Sequence, residues 1–422
     1  MRMTIKIPQR NIFSWLAFLS VAVTTYAYFT VTSIPMITYI LLGTILLNTL
    51  DKRIFNTIAG TRFFIYTCFL IVYVLVISLI AKNVQTGMTE AILYQMIVGL
   101  CFYMYAINEQ KGIDHIITFI CLSVLIFSII ILMDDKLMTT LQRAKQGNVY
   151  YTYGDNNRNT IAIILSVGAL CMMHLGVEKK RIWYLCMILA VALGLFTGSR
   201  KAVLIMLAGA VGYIIMYSLF VRKQASNKWI VVFFLVLAMV GMVYACFEIP
   251  VLYQIIGVRI EGFFGVLTGR GTTERSAEIR SNMVRKALEM FARKPLFGWG
   301  IEGFAKYSGF SVYSHNNYTE TLVSFGILGF VLFYGLKIKL LINQFRVIKR
   351  QKDVTKIPTS LLCFVLMAVM LAVDMAAVSM NSVVINLPFA LAAADQYRNR
   401  ETGSEDDENS VHSQPNQNRW RR

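Results

Sequence analysis

The sequence predicts an all-α fold, a polytopic transmembrane bundle of about 12 spans, and three observations predict it. Of its 422 residues, 56% are hydrophobic and only 15% charged, with a mean hydropathy of +0.58. A water-soluble domain carries roughly a quarter charged residues. The charges that remain gather between long apolar runs, as expected where a charge in hydrocarbon costs several kcal/mol. The runs themselves are about 17 to 25 residues long, the length a helix needs to cross a bilayer.

In chain order the runs place spans at 12–31, 34–50, 63–81, 89–107, 113–133, 159–176, 181–197, 201–220, 229–247, 321–341, 359–379 and 382–397. The N-terminal MRMTIKIPQR and the apolar run from Ile12 have the outline of a secretory signal. The run is too long for a signal h-region and lacks a clean A-x-A site, so it is read as a retained first span. Only Thr32–Ser33 and Asn381 divide the second and last spans from their neighbours.

With the N-terminus inside, one set of loops collects Lys52, Arg53 and Arg62; Lys179, Lys180 and Arg181; Arg222, Lys223 and Lys228; and Arg346, Lys349, Arg350, Lys352 and Lys356. That bias places these loops and both termini on the cytoplasmic side of the membrane. It also accounts for most of the net charge of +18. No basic stripe interleaved with aromatics lies on a water-exposed segment, so nucleic acid is not an expected partner. The chain reads as one membrane domain over 1–400, an extracytoplasmic loop at 248–320 within it, and a polar tail at 401–422 expected to be disordered.

The seven cysteines (Cys68, Cys101, Cys121, Cys171, Cys186, Cys246 and Cys363) all fall in apolar segments without C-x-x-C spacing. They read as small core residues. No P-loop, Rossmann glycine pattern or histidine-rich metal motif occurs, and Asp134–Asp135 lacks further ligands, so neither a cofactor nor a metal is expected.

Four charged or titratable positions break the pattern. Glu274 to Lys294 reads as an amphipathic helix in which Met283, Val284, Ala287, Leu288, Met290 and Phe291 form one stripe. Arg285 and Lys286 lie opposite, but Arg280 falls at the centre of the apolar stripe. It either covers apolar surface with its stem or aims its guanidinium into a cavity to hold an anion. Arg200, with Lys201, opens a span on the outside, against both the positive-inside trend and the helix dipole. A compensating anion and snorkelling to headgroups are both open readings. His315 stands beside a helix start with Asn317 and Glu320 at capping-box-like spacing. A helix N-terminus lowers its pKa and keeps the imidazole neutral, as a general base requires. The plainer reading is a polar loop residue. Asp374 lies within a span, either functional or capping a helix or pairing with an arginine.

Three segments together resemble the O-antigen ligase and polysaccharide polymerase family of bacterial envelopes: TGSRKA at 197–202, RSNMVRKALEMFARKPLFGWG at 280–300, and SHNNYTETLVSFGILG at 314–329. The family pattern has an arginine (Arg280) opening a helix that ends in P-L-x-G-x-G (Pro295 to Gly300). A histidine–asparagine pair (His315–Asn316) then precedes a span with G-x-x-G (Gly326 to Gly329). The resemblance covers the C-terminal half well, and the N-terminal spans match only in number and hydropathy.

The resemblance implies a multi-pass glycosyltransferase of the plasma (inner) membrane acting on its extracytoplasmic face, with a polyprenyl-diphosphate-linked oligosaccharide as donor. Arg200 and Arg280 match the family's functional arginines and His315 its histidine. With Asn316 assigned to substrate binding beside the arginines, these are the candidate site residues. The implied step is inverting and metal-independent. A hydroxyl of a glycan or lipid-linked acceptor attacks the anomeric carbon, with His315 as base and the arginines on the departing diphosphate. The acceptor separates a polymerase of O-antigen, capsule or exopolysaccharide from a ligase onto lipid A-core or another envelope acceptor. A lipid-linked oligosaccharide flippase is the reading from another class; the internal repeats it should show are not evident.

Overall fold

The computed structural model describes residues 11–30, 35–82, 87–144, 151–153, 157–221, 275–351 and 353–412, with isolated positions between 241 and 253. Among the described residues there are helices and no strand. The first ten are α1 Ile12–Phe29, α2 Pro35–Asp51, α3 Phe55–Ala59, α4 Arg62–Ile80, α5 Gly87–Asn108, α6 Gly112–Leu132, α7 Asp135–Ala144, α8 Arg158–Glu178, α9 Ile182–Phe196 and α10 Arg200–Phe220. They are followed by α11 Arg275–Arg293, α12 Gly303–Tyr307, α13 Asn317–Arg350, α14 Ile357–Val373 and α15 Val383–His412.

Seven of these (α1, α4, α5, α6, α8, α10 and α13) are long and apolar enough to cross a membrane, while α2, α9 and α14 are apolar but shorter. Helices stand at eleven of the expected span positions. Most of the expected span at 229–247 and most of 248–274, the first part of the expected loop at 248–320, lie outside the described residues. The closing helix α15 continues to His412, past the end expected for the membrane domain, and 413–422 lie outside the described residues.

Burial follows from apolar pattern. α8 is buried without a break from Ile161 to Gly176, as a helix apolar all round must be. α4 instead exposes Ile65, Phe69, Val72 and Val76, a stripe at helical spacing that meets lipid where water would be unfavourable. Small residues let the helices close up. A Cβ on Gly168 would stand 2.5 Å from Val124, and one on Gly209 2.5 Å from Leu170. Such close approach is how helices associate when apolar burial alone gives no advantage over lipid. At one end of the bundle Lys52 pairs with Glu109 at 2.7 Å, and the Arg398 guanidinium donates to the Glu109 and Gln110 carbonyls.

The span expected at 321–341 is not one continuous helix. Gly326 takes φ 65° and ψ −170° and breaks α13. At about 1.5 Å rise per residue, an unbroken helix would set Asn317 and Tyr334 roughly 25 Å apart. Instead Asn317 Nδ2 donates to the Tyr334 hydroxyl at 2.7 Å, and the Tyr318 and Tyr334 rings stack with centroids 4.5 Å apart. The chain therefore doubles back at Gly326, laying 317–325 alongside the start of 327–350.

Such a break orphans backbone groups on both sides, a severe cost away from water. The Pro295–Gly300 loop satisfies them. The N–H groups of Trp299 and Gly300 donate to the Val323 and Ser324 carbonyls at 2.7 and 3.0 Å, and Ile327 N–H donates to the Pro295 carbonyl at 2.7 Å. A Cβ on Gly326 would lie 2.2 Å from the Leu296 carbonyl oxygen, so the P-L-F-G-W-G run and the glycine of SFGILG form one clasp.

Gly326→Ala is accordingly expected to lose about 2–4 kcal/mol of stability in detergent, from positive φ plus overlap. Gly309 also has positive φ (+87°) but nothing within 4 Å of its would-be Cβ. Gly309→Ala is expected to lose only about 1 kcal/mol. Equal losses in unfolding curves would refute the clasp.

Candidate functional site

The predicted amphipathic helix is α11, and its stripe finds a partner. Met283, Ala287 and Met290 are buried with Phe304 of α12 and Val323 of α13, flanked by Trp299 and Phe310. Trp299 Nε1 donates to the Met290 carbonyl at 2.8 Å, fastening the clasp to α11. Leu288, assigned to the stripe, is instead 48% exposed at its edge. Arg280 precedes Met283 by three residues, so it extends the packed face by one turn past the point where packing ends, and its side chain is exposed.

His315 sits in a turn that the start of α13 ties down. Ser314 N–H donates to Glu320 Oε2 at 2.7 Å, and the Ser314 hydroxyl donates to the Asn316 carbonyl at 3.0 Å. The Asn316 carboxamide oxygen accepts from Tyr318 N–H at 2.9 Å and Thr319 N–H at 3.2 Å, so Asn316 is the N-cap of α13. The capping box expected from Asn317 and Glu320 is thus replaced. Asn316 caps, Glu320 reaches back to Ser314, and Asn317 is fully buried and bonded elsewhere. His315 itself has φ 58°, uncommon for a residue with a Cβ and a sign of imposed geometry. Its ring stands 4.7 Å from that of Tyr313.

His315 borders a cavity of about 380 Å³. Helix starts converge on it: Asn157, Asn159 and Thr160 at α8, Lys201 at α10, His315 before α13, and Ser382 to Ile385 at α15. Met88 at the start of α5 and Ala27 and Tyr28 at the end of α1 complete that side, and Ile163 and Ile164 supply apolar wall. Asn157 caps α8, accepting from Asn159 N–H, and the Ser199 hydroxyl donates to Asn159 Oδ1 at 2.8 Å, locking the starts of α8 and α10 together. Convergent helix N-termini give the cavity a positive potential before any side-chain charge is added.

Arg280 and Lys201 add to it. Burial, then the Arg280 charge, then the Lys201 charge, push the His315 imidazole below its ordinary pKa of 6.5. The neutral imidazole expected of a base therefore follows mainly from burial and neighbouring cations. Of the predicted site residues, the structure brings His315 to the cavity wall and Arg280 within electrostatic reach of it. Asn316 is spent on the cap, and Arg200, half-buried at the first position of α10, lies outside the cavity lining.

Its neighbour Lys201 lines the cavity instead. Sequence reasoning treated Lys201 only as an accompaniment to Arg200, and it passed over Asn157, Asn159 and Thr160 altogether. The signal for the latter was present in the polar run N-N-R-N-T opening an otherwise apolar span. Asp374 is not functional by contact with the cavity. It ends α14, and its Oδ2 pairs with Lys337 at 3.3 Å, a lysine where an arginine was the expected partner. Among the described residues no three His, Cys, Asp or Glu side chains gather where they could hold a metal ion.

Arranged in this way, the site can hold an anion against cations and helix N-termini while a neutral imidazole takes a proton beside it. Residues 185–334 match the family model described as O-Antigen ligase. The matched segment runs from α9 into α13 and includes Arg200, Lys201, Arg280, the clasp, His315 and Asn316. No curated protein matches the chain. The family match bears out the resemblance read from the motifs, and members of this family are membrane glycosyltransferase-like enzymes, O-antigen ligases or polymerases.

Proposed function

We propose that the protein is a polymerase of a cell-surface polysaccharide, transferring glycan from a polyprenyl-diphosphate-linked donor to an acceptor sugar hydroxyl on the extracytoplasmic face of the plasma membrane. The observation that carries this reading is the cavity itself. A neutral histidine and a lysine share its wall, Arg280 acts on that histidine, and several helix N-termini open onto it. A diphosphate leaving group needs such anion stabilisation, and an acceptor hydroxyl needs such a base. His315 takes the hydroxyl proton as the glycosidic bond forms, while Lys201, Arg280 and the helix ends receive the charge that collects on the departing diphosphate. Attack from the face opposite the leaving group inverts the anomeric centre.

The ligase reading rests on the description of the matched family, and the acceptor decides between the two. The test is a reconstituted assay with purified protein and lipid-linked donor, with chelator and without nucleotide. A ladder of longer lipid-linked products on a gel supports polymerase. Transfer only when lipid A-core is supplied converts the assignment to ligase. Movement of the donor across the bilayer with no new linkage would replace the enzyme by a flippase.

Orientation is tested separately. The helix ends that meet at the cavity are those the twelve-span order puts outside, which agrees with the positive-inside reading. In a background without native cysteines, an impermeant reagent on intact cells is expected to label a cysteine at Ser308 and spare one at Lys352. The reverse pattern would overturn the orientation.

A further inference from the structure

The segment of the cavity wall that carries His315 and the segment at 377–385 are joined by a buried polar network. Asn317 is its hub. Its N–H donates to the Asp374 carbonyl at 2.8 Å, and its Oδ1 accepts from the N–H groups of Ser379 and Met380 at 2.9 and 3.1 Å. Its Nδ2 donates to the Tyr334 hydroxyl, which donates in turn to Asp374 Oδ2 at 3.0 Å. Lys337 Nζ also reaches Asp374 Oδ2, and the Ser379 hydroxyl donates to Asp374 Oδ1. Asn317, Tyr334, Lys337, Asp374 and Ser379 are all buried, at 0, 2, 5, 0 and 0% exposure.

A buried ion pair is a poor source of stability compared with apolar packing of the same volume. A fully satisfied network of this kind does, however, fix geometry. Asn317 lies two residues after His315. Asp374 precedes, and Ser379 lies within, the segment that supplies Ala377, Val378, Asn381 and Ser382 to the cavity wall. The same network therefore ties the His315 segment to the 377–382 segment, with the doubled-back α13 bringing Tyr334 to Asn317 and Lys337 to Asp374.

We propose that the Asn317–Tyr334–Lys337–Asp374–Ser379 network is a positioning device that fixes His315 relative to the 377–382 segment of the cavity wall. This rests on reading the cavity as the site of glycan transfer. Asp374 and Lys337 are then positioning residues, since neither touches the cavity. The groups that face His315 itself are the Arg280 and Lys201 charges and the Tyr313 ring, and the network governs how the imidazole lies among them.

The test compares wild type, Asp374→Asn, and the charge-neutral double variant Asp374→Asn with Lys337→Met, which leaves no unpaired buried charge if the single variant fails to fold. Two readouts are taken on folded protein in detergent: steady-state transfer, and the His315 ring titration by NMR. Misplacement by about an ångström is expected to lower kcat about 10²-fold, with KM for donor changed less than about twofold. The His315 titration is expected to move up toward 6.5 as the ring leaves its neighbours. A folded double variant with wild-type kcat and an unmoved titration would overturn the proposal. If no variant, wild type included, transfers glycan, the function reading fails and the titration alone decides this one. Movement supports the positioning role, and its absence removes it.

Discussion

Replacing Arg280 by alanine is expected to reduce transfer by at least about 10²–10³-fold, the usual loss when one preorganised charge stabiliser is removed, while the protein reaches the membrane at normal levels. Arg280 is exposed, so its removal takes no packing from α11, whose buried contacts begin at Met283. Lysine at 280 is expected to rescue poorly, because an ammonium does not reproduce the planar fork that engages phosphate oxygens in pairs. Arg285, exposed and bonded to Asn282 at 3.3 Å, is the internal control, and Arg285→Ala should retain transfer. If Arg285→Ala is as damaging as Arg280→Ala, the helical-face argument is wrong.

The same assay separates Arg200 from Lys201. Arg200→Ala is expected to abolish transfer as the arginine of the family motif, whereas Lys201→Ala, which removes the cation on the cavity wall, is expected to lower the rate and leave it measurable. A tolerated Lys201→Ala would mean that the anion sits above the cavity mouth, nearer Arg280.

What the sequence made legible is what periodicity alone encodes. The α11 face could be wound from residue spacing, and Met283, Ala287 and Met290 are buried as that winding requires. Charge placement likewise marked 200–201 as anomalous, because two separate rules are broken there at once. Spacing does not encode which of two adjacent side chains turns inward. Arg200 and Lys201 differ by about 100° around their helix, and only the neighbours of α10 decide between them.

The reversal at Gly326 was invisible for a related reason. No charge interrupts Thr321 to Leu336, and glycine is frequent in continuous membrane helices, so Gly326 by itself does not announce a break. What turns it into a break is the Pro295–Gly300 loop, a partner some thirty residues earlier in the chain, presenting donors and acceptors to orphaned backbone. The Asn317–Asp374 network depends on that reversal in turn, so Asp374 could be recognised as unusual but not assigned. An intramembrane carboxylate identifies a place of interest, and its partner depends on tertiary structure.

For His315 the expected result is a loss of about 10²–10⁴-fold in transfer on substitution by alanine, the range for removal of a general base. Donor binding should change little, because the cations and helix N-termini supply that part. The pH dependence gives the sharper test. The free imidazole titrates below its ordinary 6.5, through burial and the charges of Arg280 and Lys201. It is therefore neutral and competent above that lowered pKa and protonated below it. The kcat/KM profile reports the free enzyme, so it should be flat near neutrality and fall only on the acid side of 6.5. His315→Ala should lose that acidic limb along with most of the rate. Removing a neighbouring cation acts in the same direction as relief of burial: Lys201→Ala lets the histidine pKa rise, moving the acid limb toward neutral pH even as the rate falls. Gel assays of product length across pH, run on wild type, His315→Ala and Lys201→Ala, test all three statements together. A His315→Ala protein that keeps both its rate and its acid limb would assign the proton transfer to another group and leave the anion site as the surviving part of the mechanism.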